Sequence, residues 1–422
     1  MSLLGLPFML IVAGVALVVV AACALLWNRW ARPLAWPMRL LSLALVMLSG
    51  AVLAGVVVNR SFSFYSTVDD LLASGARTYQ PPGAEDPALA AGVTVLTPNW
   101  KLAGRAAAAA GRGTVLQVRI SGQRSRIQRA GLVYLPAAWF LDRARSLPVI
   151  EFLHGYPGRP GDLLGQIALP SVLDAEIAAV RIPPVVGIVP LLYQGRASEC
   201  VDAVGGQRNE TYLAVDVPAA VQHSFHTLPG RTLGLLGYSE GGFCAANLGL
   251  HHPDRVAAAV SLSGYFTAGT DPHTKDLYRG VRGARQRNSP LWWVQHRAPT
   301  APAMLLFASA GDRDSVLQDR ELARAAARDA PRLPLQVTLD PSGGHNFGTW
   351  QRAMPAALDF LGRLLPAPLA PPLRLPSDPQ IRQTAPPRPV ATDVPRNGEP
   401  YQRRPGKRAV VGPPLPSRTA RK

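Results

Sequence analysis

Ser239 stands in the run Gly237-Tyr238-Ser239-Glu240-Gly241, between an apolar stretch (233–236) and a segment with helical spacing, GFCAANLGLHH. Glycines two before and two after a serine, where a strand passes into a helix, form the G-x-S-x-G nucleophile elbow. That turn is strained, and side chains at the two glycine positions would clash within it. The helix that follows supplies a backbone N–H and the positive end of its dipole, so the N–H of Glu240 is expected to face a developing oxyanion. The plain alternative is a turn serine. The strand before, the helix after and the PDRV leading into a further strand favour a nucleophile.

A serine hydroxyl is a poor nucleophile until a base takes its proton and a carboxylate orients that base. On an elbow fold these partners follow in the order serine, acid, histidine. LLFASAGDRDSV offers Asp312 and Asp314 after a later strand, and the G-x-x-D spacing from Gly311 favours Asp314 as the acid, with Asp312 as the alternative. LDPSGGHNFGTW offers His345 after the last strand, with two preceding glycines that let the loop bend inward. The second oxyanion donor is expected after an earlier strand, in PVIEFLHGYPGRPGD. Pro157 has no N–H, which leaves the backbone of Tyr156. His154 reads as a structural residue beneath that loop. The cysteines and histidines do not cluster at metal-ligand spacing, and the chemistry outlined needs no metal or cofactor.

The elements that must hold these residues are legible as patterns. TVLQVRI (114–120) alternates like a strand, and RAGLVYLP (129–136) reads as its hairpin partner. Apolar, non-alternating runs at 148–153, 185–190, 232–237, 255–263, 302–309 and 335–340 are separated by helix-length segments. Such runs are strands buried on both faces, and their alternation with helices predicts an α/β fold with a mostly parallel central sheet covered by helices on both sides. MPAALDFLGRLL (354–365) closes it as an amphipathic helix. The segment 267–297, with NSPLWWVQHR, is expected either to line the pocket or, through Trp292 and Trp293, to pack in the core.

Two apolar stretches without charge, 6–26 and 40–58, open the chain, each long enough to span a bilayer as a helix. Between them WNRWARPLAWPMR carries Arg29, Arg32 and Arg39 with three tryptophans, so the positive-inside rule places this loop in the cytoplasm and everything after residue 60 outside. A cleaved signal peptide fits poorly, because no basic residue precedes the first stretch and a second stretch follows. The expected organisation is a two-span transmembrane hairpin (1–60), a linker (61–112), a catalytic domain (113–365) and a tail (366–422). The chain carries 44 Lys+Arg against 27 Asp+Glu, net +17. The tail alone holds 11 basic and 3 acidic residues with 15 prolines, and reads as disordered, basic and Pro-rich. It is either an inert spacer or an electrostatic contact to anionic lipid or envelope polymer. A nucleic-acid partner does not suit an outward-facing tail. Three cysteines are too few for a disulfide scaffold.

Four blocks in order, LPVIEFLHGYPGRPGD, ECVDAVGGQRNETYLAVDVPAAV, LLGYSEGGFCAANLGLHHPDRV and PSGGHNFGTW, resemble the esterases of the α/β-hydrolase superfamily. The resemblance is to the branch containing esterase D-type enzymes and the secreted mycolyltransferases, and it spans 113–365. It implies an α/β-hydrolase fold and a Ser-acid-His hydrolase or acyltransferase, with the roles given above to Ser239, Asp314 and His345. The mycolyltransferases use Glu as the acid and lack the HGYPG form of the oxyanion loop, which favours the esterase side. In this fold the strand ending at Pro190 is expected to neighbour the nucleophile strand. Cys200 after that strand and Cys244, five residues beyond Ser239, are therefore expected to form a disulfide, which an outward-facing domain can keep. The reaction expected is hydrolysis of a small-molecule or lipid-linked carboxylic ester through an acyl-enzyme, by a membrane-embedded protein. Transfer of the acyl group to an envelope sugar or lipid hydroxyl and a non-catalytic envelope-binding scaffold are the alternatives.

Overall fold

A computed structural model describes residues 6–30, 32–62, 92–142, 145–269, 274 and 276–368. Helices α1 (Leu6–Leu26) and α2 (Arg32–Phe62) pack against each other. Both are long and apolar enough to cross a membrane, the second over Leu34–Arg60. The helix containing the second span begins well before residue 40: Pro33 falls in its first turn, where a helix tolerates proline, and Pro37 lies inside it. At the turn, Arg39 Nε donates to the carbonyl of Trp27 at 3.4 Å.

The domain that follows is built on a nine-stranded sheet in the order β1-β2-β3-β5-β4-β6-β7-β8-β9. The strands are β1 (Gly92–Val95), β2 (Thr114–Ser121), β3 (Gln128–Leu135), β4 (Val149–Leu153), β5 (Val186–Pro190), β6 (Leu233–Tyr238), β7 (Val256–Leu262), β8 (Ala303–Ser309) and β9 (Leu335–Asp340). From β5 to β9 across the sheet all pairings are parallel, and β1, β2 and β3 add antiparallel pairs at one edge. β4, β5 and β6 are buried at every position. One face packs on the helices Val217–Phe225, Glu240–His251 and Arg313–Asp329. The other packs on Leu169–Ala178 and the closing helix Phe347–Gly362. Because the parallel strands share a direction, the loops after β4 to β9 gather at one pole, where chemistry on such sheets collects.

Three expectations change. The stretch expected as a linker, 61–112, contributes β1 and the helix Trp100–Ala109 in its described part. Four residues, GVTV, suffice because β2 offers them a hydrogen-bonding edge, with Gly92 opposite Ser121. The strand ending at Pro190 does not neighbour the nucleophile strand, since β4 lies between β5 and β6. The closing helix starts at Phe347, ahead of residue 354, because Asn346 caps it by accepting the N–H of Thr349. Residues 63–91, and the tail from 369 on, lie outside the described residues.

Candidate active site

Ser239 follows β6 directly and takes φ 56°, ψ −123°, a region that costs a non-glycine residue about 1–3 kcal/mol. The flanking glycines make that backbone possible. A Cβ on Gly237 would lie 1.9 Å from the carbonyl oxygen of Gly241, and one on Gly241 would lie 2.0 Å from that of Leu153 in β4. The elbow is therefore packed against its own helix and against the neighbouring strand. Beside it, a Cβ on Gly155 would come within 3.1 Å of the Ser239 Cβ, so the loop after β4 runs against Ser239. Tyr156 and Glu240, the expected oxyanion donors, are the next residues along these two segments.

His345 Nε2 stands 2.9 Å from Ser239 Oγ, and its Nδ1 stands 2.8 Å from Asp312 Oδ2. The carboxylate that meets His345 is thus Asp312, the alternative, and not the favoured Asp314. Asp312 is the N-cap of the helix Arg313–Asp329 and is buried, with Oδ1 accepting the N–H of Ser315 at 3.4 Å. Asp314 falls in the first turn of that helix on its exposed side. Burial pulls the Asp312 carboxyl upward, but the hydrogen bond and charge of His345, with the Ser315 contact, hold it below the usual carboxylate range. The acid and histidine loops also touch: the N–H of Gly311 donates to the carbonyl of Gly343 at 3.1 Å, and a Cβ on Gly311 would lie 2.2 Å from that oxygen. Trp350 sets its ring edge-on to His345 at 5.1 Å and stacks on Tyr238 at 4.5 Å, which ties the histidine loop to the end of β6.

His154 is fully buried. Its Nε2 accepts the N–H of Leu192 at 3.2 Å, which leaves the proton on Nδ1 to donate to the Gly155 carbonyl at 2.9 Å. Burial pushes its pKa down to about 4, so it sits under the loop as a neutral ring. Tyr193 carries little signal in the sequence. Its hydroxyl lies between the carbonyls of Gly155 and Gly158 at 3.2 and 2.9 Å and also accepts the N–H of Gly158. That signal is a tyrosine three residues past the end of a fully buried strand. The Glu240 side chain carries as little. It is buried, and its Oε1 accepts the N–H groups of Ser198 and Glu199 at 3.0 and 2.8 Å. Cys200 and Cys244 form a disulfide, with Cα atoms 5.5 Å apart. The chain after β5 passes the end of β4 to reach the helix Glu240–His251, so the pairing needs no adjacency of β5 and β6. Trp293 and Trp292, in the segment expected to line the pocket or pack in the core, pack on His251 (4.8 Å) and His296 (4.8 Å) respectively. Among the described residues no group of three or more His, Cys, Asp or Glu side chains could hold a metal ion.

A parallel sheet carrying a serine on a left-handed strand-to-helix turn, with an acid loop and a histidine loop from later strands, is the α/β-hydrolase architecture. Solved structures share it. A ferulic acid esterase superposes with a TM-score of 0.53 at 21% identity, over 60% of this chain and 98% of that one. The fluorophosphonate-binding serine hydrolase FphF of Staphylococcus aureus gives 0.51 at 17%, over 60% and 99%. An S-formylglutathione hydrolase of Agrobacterium tumefaciens gives 0.51 at 15%, over 61% and 97%. An uncharacterized protein of Corynebacterium glutamicum, Cgl0967/cg1104, is 25% identical over 272 residues, which is 60% of this chain and 62% of that relative's length. Residues 126–361 match the Esterase family, described as "Putative esterase", and the chain belongs to it.

Proposed function

We propose that the protein is a membrane-anchored serine esterase that works outside the cytoplasmic membrane through Ser239, His345 and Asp312. The observation that carries this reading is the pair of contacts on one imidazole, 2.9 Å to Ser239 and 2.8 Å to Asp312. With Nδ1–H held by Asp312, Nε2 presents its lone pair to the serine hydroxyl. His345 takes that proton as Ser239 Oγ attacks the ester carbonyl. The backbone N–H groups of Tyr156 and Glu240 hold the oxyanion. His345 then gives the proton to the departing alcohol, which leaves an acyl-enzyme. Water, deprotonated by His345, adds to the acyl carbon; the bond to Ser239 Oγ breaks as His345 returns the proton to that oxygen, the acid leaves, and Asp312 stabilises the imidazolium at each stage.

Two features support the outward placement. Arg29 lies between the two apolar helices and Arg32 and Arg39 lie near the start of the second, which favours a cytoplasmic turn. The Cys200–Cys244 disulfide suits an oxidising compartment. The substrate class proposed is a small-molecule or lipid-linked ester, with the basic tail making salt-sensitive contact with anionic lipid or polymer. Full-length wild type and Ser239→Ala in detergent, assayed on p-nitrophenyl esters of graded chain length, test the reaction; hydrolysis retained by the variant would remove Ser239 from it. Protease added to intact cells should cut the catalytic domain, and protection until lysis would reverse the orientation.

A further inference from the structure

We propose that the Glu240 side chain is a positioning residue for the esterase reaction: it fixes the strut 192–200, which spaces the oxyanion loop from the nucleophile. The inference rests on the reading of Ser239 as the nucleophile and adds a role for the side chain of the residue that follows it.

The two halves of the proposed site come from different strands. Ser239 follows β6, and the loop carrying Tyr156 follows β4. The segment after β5 holds them in register. At its start, Leu192 N–H donates to His154, and Tyr193 hydrogen-bonds to Gly155 and Gly158, so this end grips the loop around Tyr156. At its far end, Ser198 and Glu199 donate their N–H groups to Glu240 Oε1, and Cys200 is bonded to Cys244 on the same helix. Within the strut, Ser198 Oγ closes a turn by donating to the carbonyl of Leu192 and accepting the N–H of Cys200.

The strut is not a relaxed loop. Glu199 and Cys200 both take left-handed backbone angles, φ 44° and 52°, which favour glycine. Such a pair persists where the surroundings over-determine it, and here a hydrogen-bond acceptor and a covalent bond both do so. The Glu199 side chain extends the same grip to a third segment. It accepts the N–H of Gly269 at 2.8 Å and the hydroxyls of Tyr278 and Tyr265 at 2.8 and 3.3 Å, and Tyr265 stacks on Phe243 of the nucleophile helix. A buried carboxyl one residue from the nucleophile therefore anchors the chain that sets the oxyanion loop. Misplacement by about 1 Å at such a site costs on the order of 100-fold in rate.

Glu240→Met keeps the volume and removes the acceptor, and Glu240→Gln restores an acceptor in the same place. Full-length protein in detergent is reacted with a fluorophosphonate probe, whose adduct places an oxyanion-like oxygen where the donors point. The expected result is about a tenfold or greater fall in the labelling rate of the Met variant, with the same end-point stoichiometry. kcat on p-nitrophenyl acetate should fall in parallel with KM within about twofold, and the Gln variant should stay within about threefold of wild type. A merely structural role would lower the end-point, not the rate. Should the Met variant fail to fold, Glu240→Asp withdraws the acceptor by one methylene and is expected to show the same slowing to a smaller degree. Met and Asp variants that label at the wild-type rate overturn the proposal while leaving the nucleophile in place. Wild type that does not label at all overturns the nucleophile reading, and this one with it.

Discussion

Replacing Asp312 by Asn separates the two candidate acids by a mechanism visible in the structure. Asp312 Oδ2 accepts the proton on His345 Nδ1 at 2.8 Å, while Oδ1 accepts the N–H of Ser315 at 3.4 Å. Both partners are donors, so an asparagine can satisfy only one of them with its carbonyl. Turning that carbonyl to Ser315 at the start of the helix presents the NH2 group to His345 Nδ1. The imidazole must then carry its proton on Nε2, facing Ser239, and it can no longer accept the serine proton. Loss of the correct tautomer costs about 10⁴-fold in kcat, or about 5 kcal/mol of transition-state stabilisation. Asp314 is exposed, and Asp314→Asn should stay within about twofold of wild type. The assay is kcat on p-nitrophenyl acetate for both full-length variants, with melting temperatures to show that both are folded. Equal losses, or the larger loss in Asp314→Asn, would refute the assignment made from geometry.

Other consequences follow from the same contacts and burials. Gly241→Ala puts a methyl 2.0 Å from the Leu153 carbonyl, so thermal melts should show a loss of about 3 kcal/mol or more together with inactivity. His154 has a folded pKa of about 4 against an ordinary 6.5. The unfolded chain binds the extra proton between those values, so stability should fall as pH drops from 6.5 toward 4, by about 3 kcal/mol at most. His154→Gln should flatten that limb of a melting-temperature series. Asp319 is buried, and burial with the nearby charge of Asp312 pushes it up to about 8 from 3.8. Its folded form holds a proton the unfolded chain has lost, so its contribution falls as pH rises from about 4 to 8, by at most about 1.4 kcal/mol per pH unit, and Asp319→Asn should remove that slope. Glu151 lies fully buried in β4, and burial holds its pKa well above the usual range. Glu151→Gln should therefore melt within about 1 kcal/mol of wild type, whereas Glu151→Lys should fail to fold.

What the sequence disclosed about this site is what local backbone demands leave in it. Gly237 and Gly241 are legible because two close backbone approaches forbid a Cβ, and the strand and helix on either side carry their own hydrophobic periods. His345 is legible by its place after the last strand. The carboxylate that meets His345 is not legible from G-x-x-D spacing, which says nothing of helix phase. Asp312 caps the helix and turns inward, and Asp314, two residues on, turns to solvent. An Asp at the N-cap position accepts the backbone N–H three residues later, as Asp312 does from Ser315. The Cys200–Cys244 pair forms although β5 and β6 are not neighbours, since its proximity comes from a loop passing β4 and not from adjacent strands. Tyr193, Glu199 and the Glu240 side chain show the limit most clearly. Their partners lie tens of residues away in the chain, at Gly155, Tyr278 and Ser198, and nothing in their own neighbourhoods marks them. Chemistry imposed on one turn can be read from one turn. The spacing between two turns depends on a third segment whose residues carry no catalytic signature, and for that reason the strut 192–200 emerges only from the folded chain.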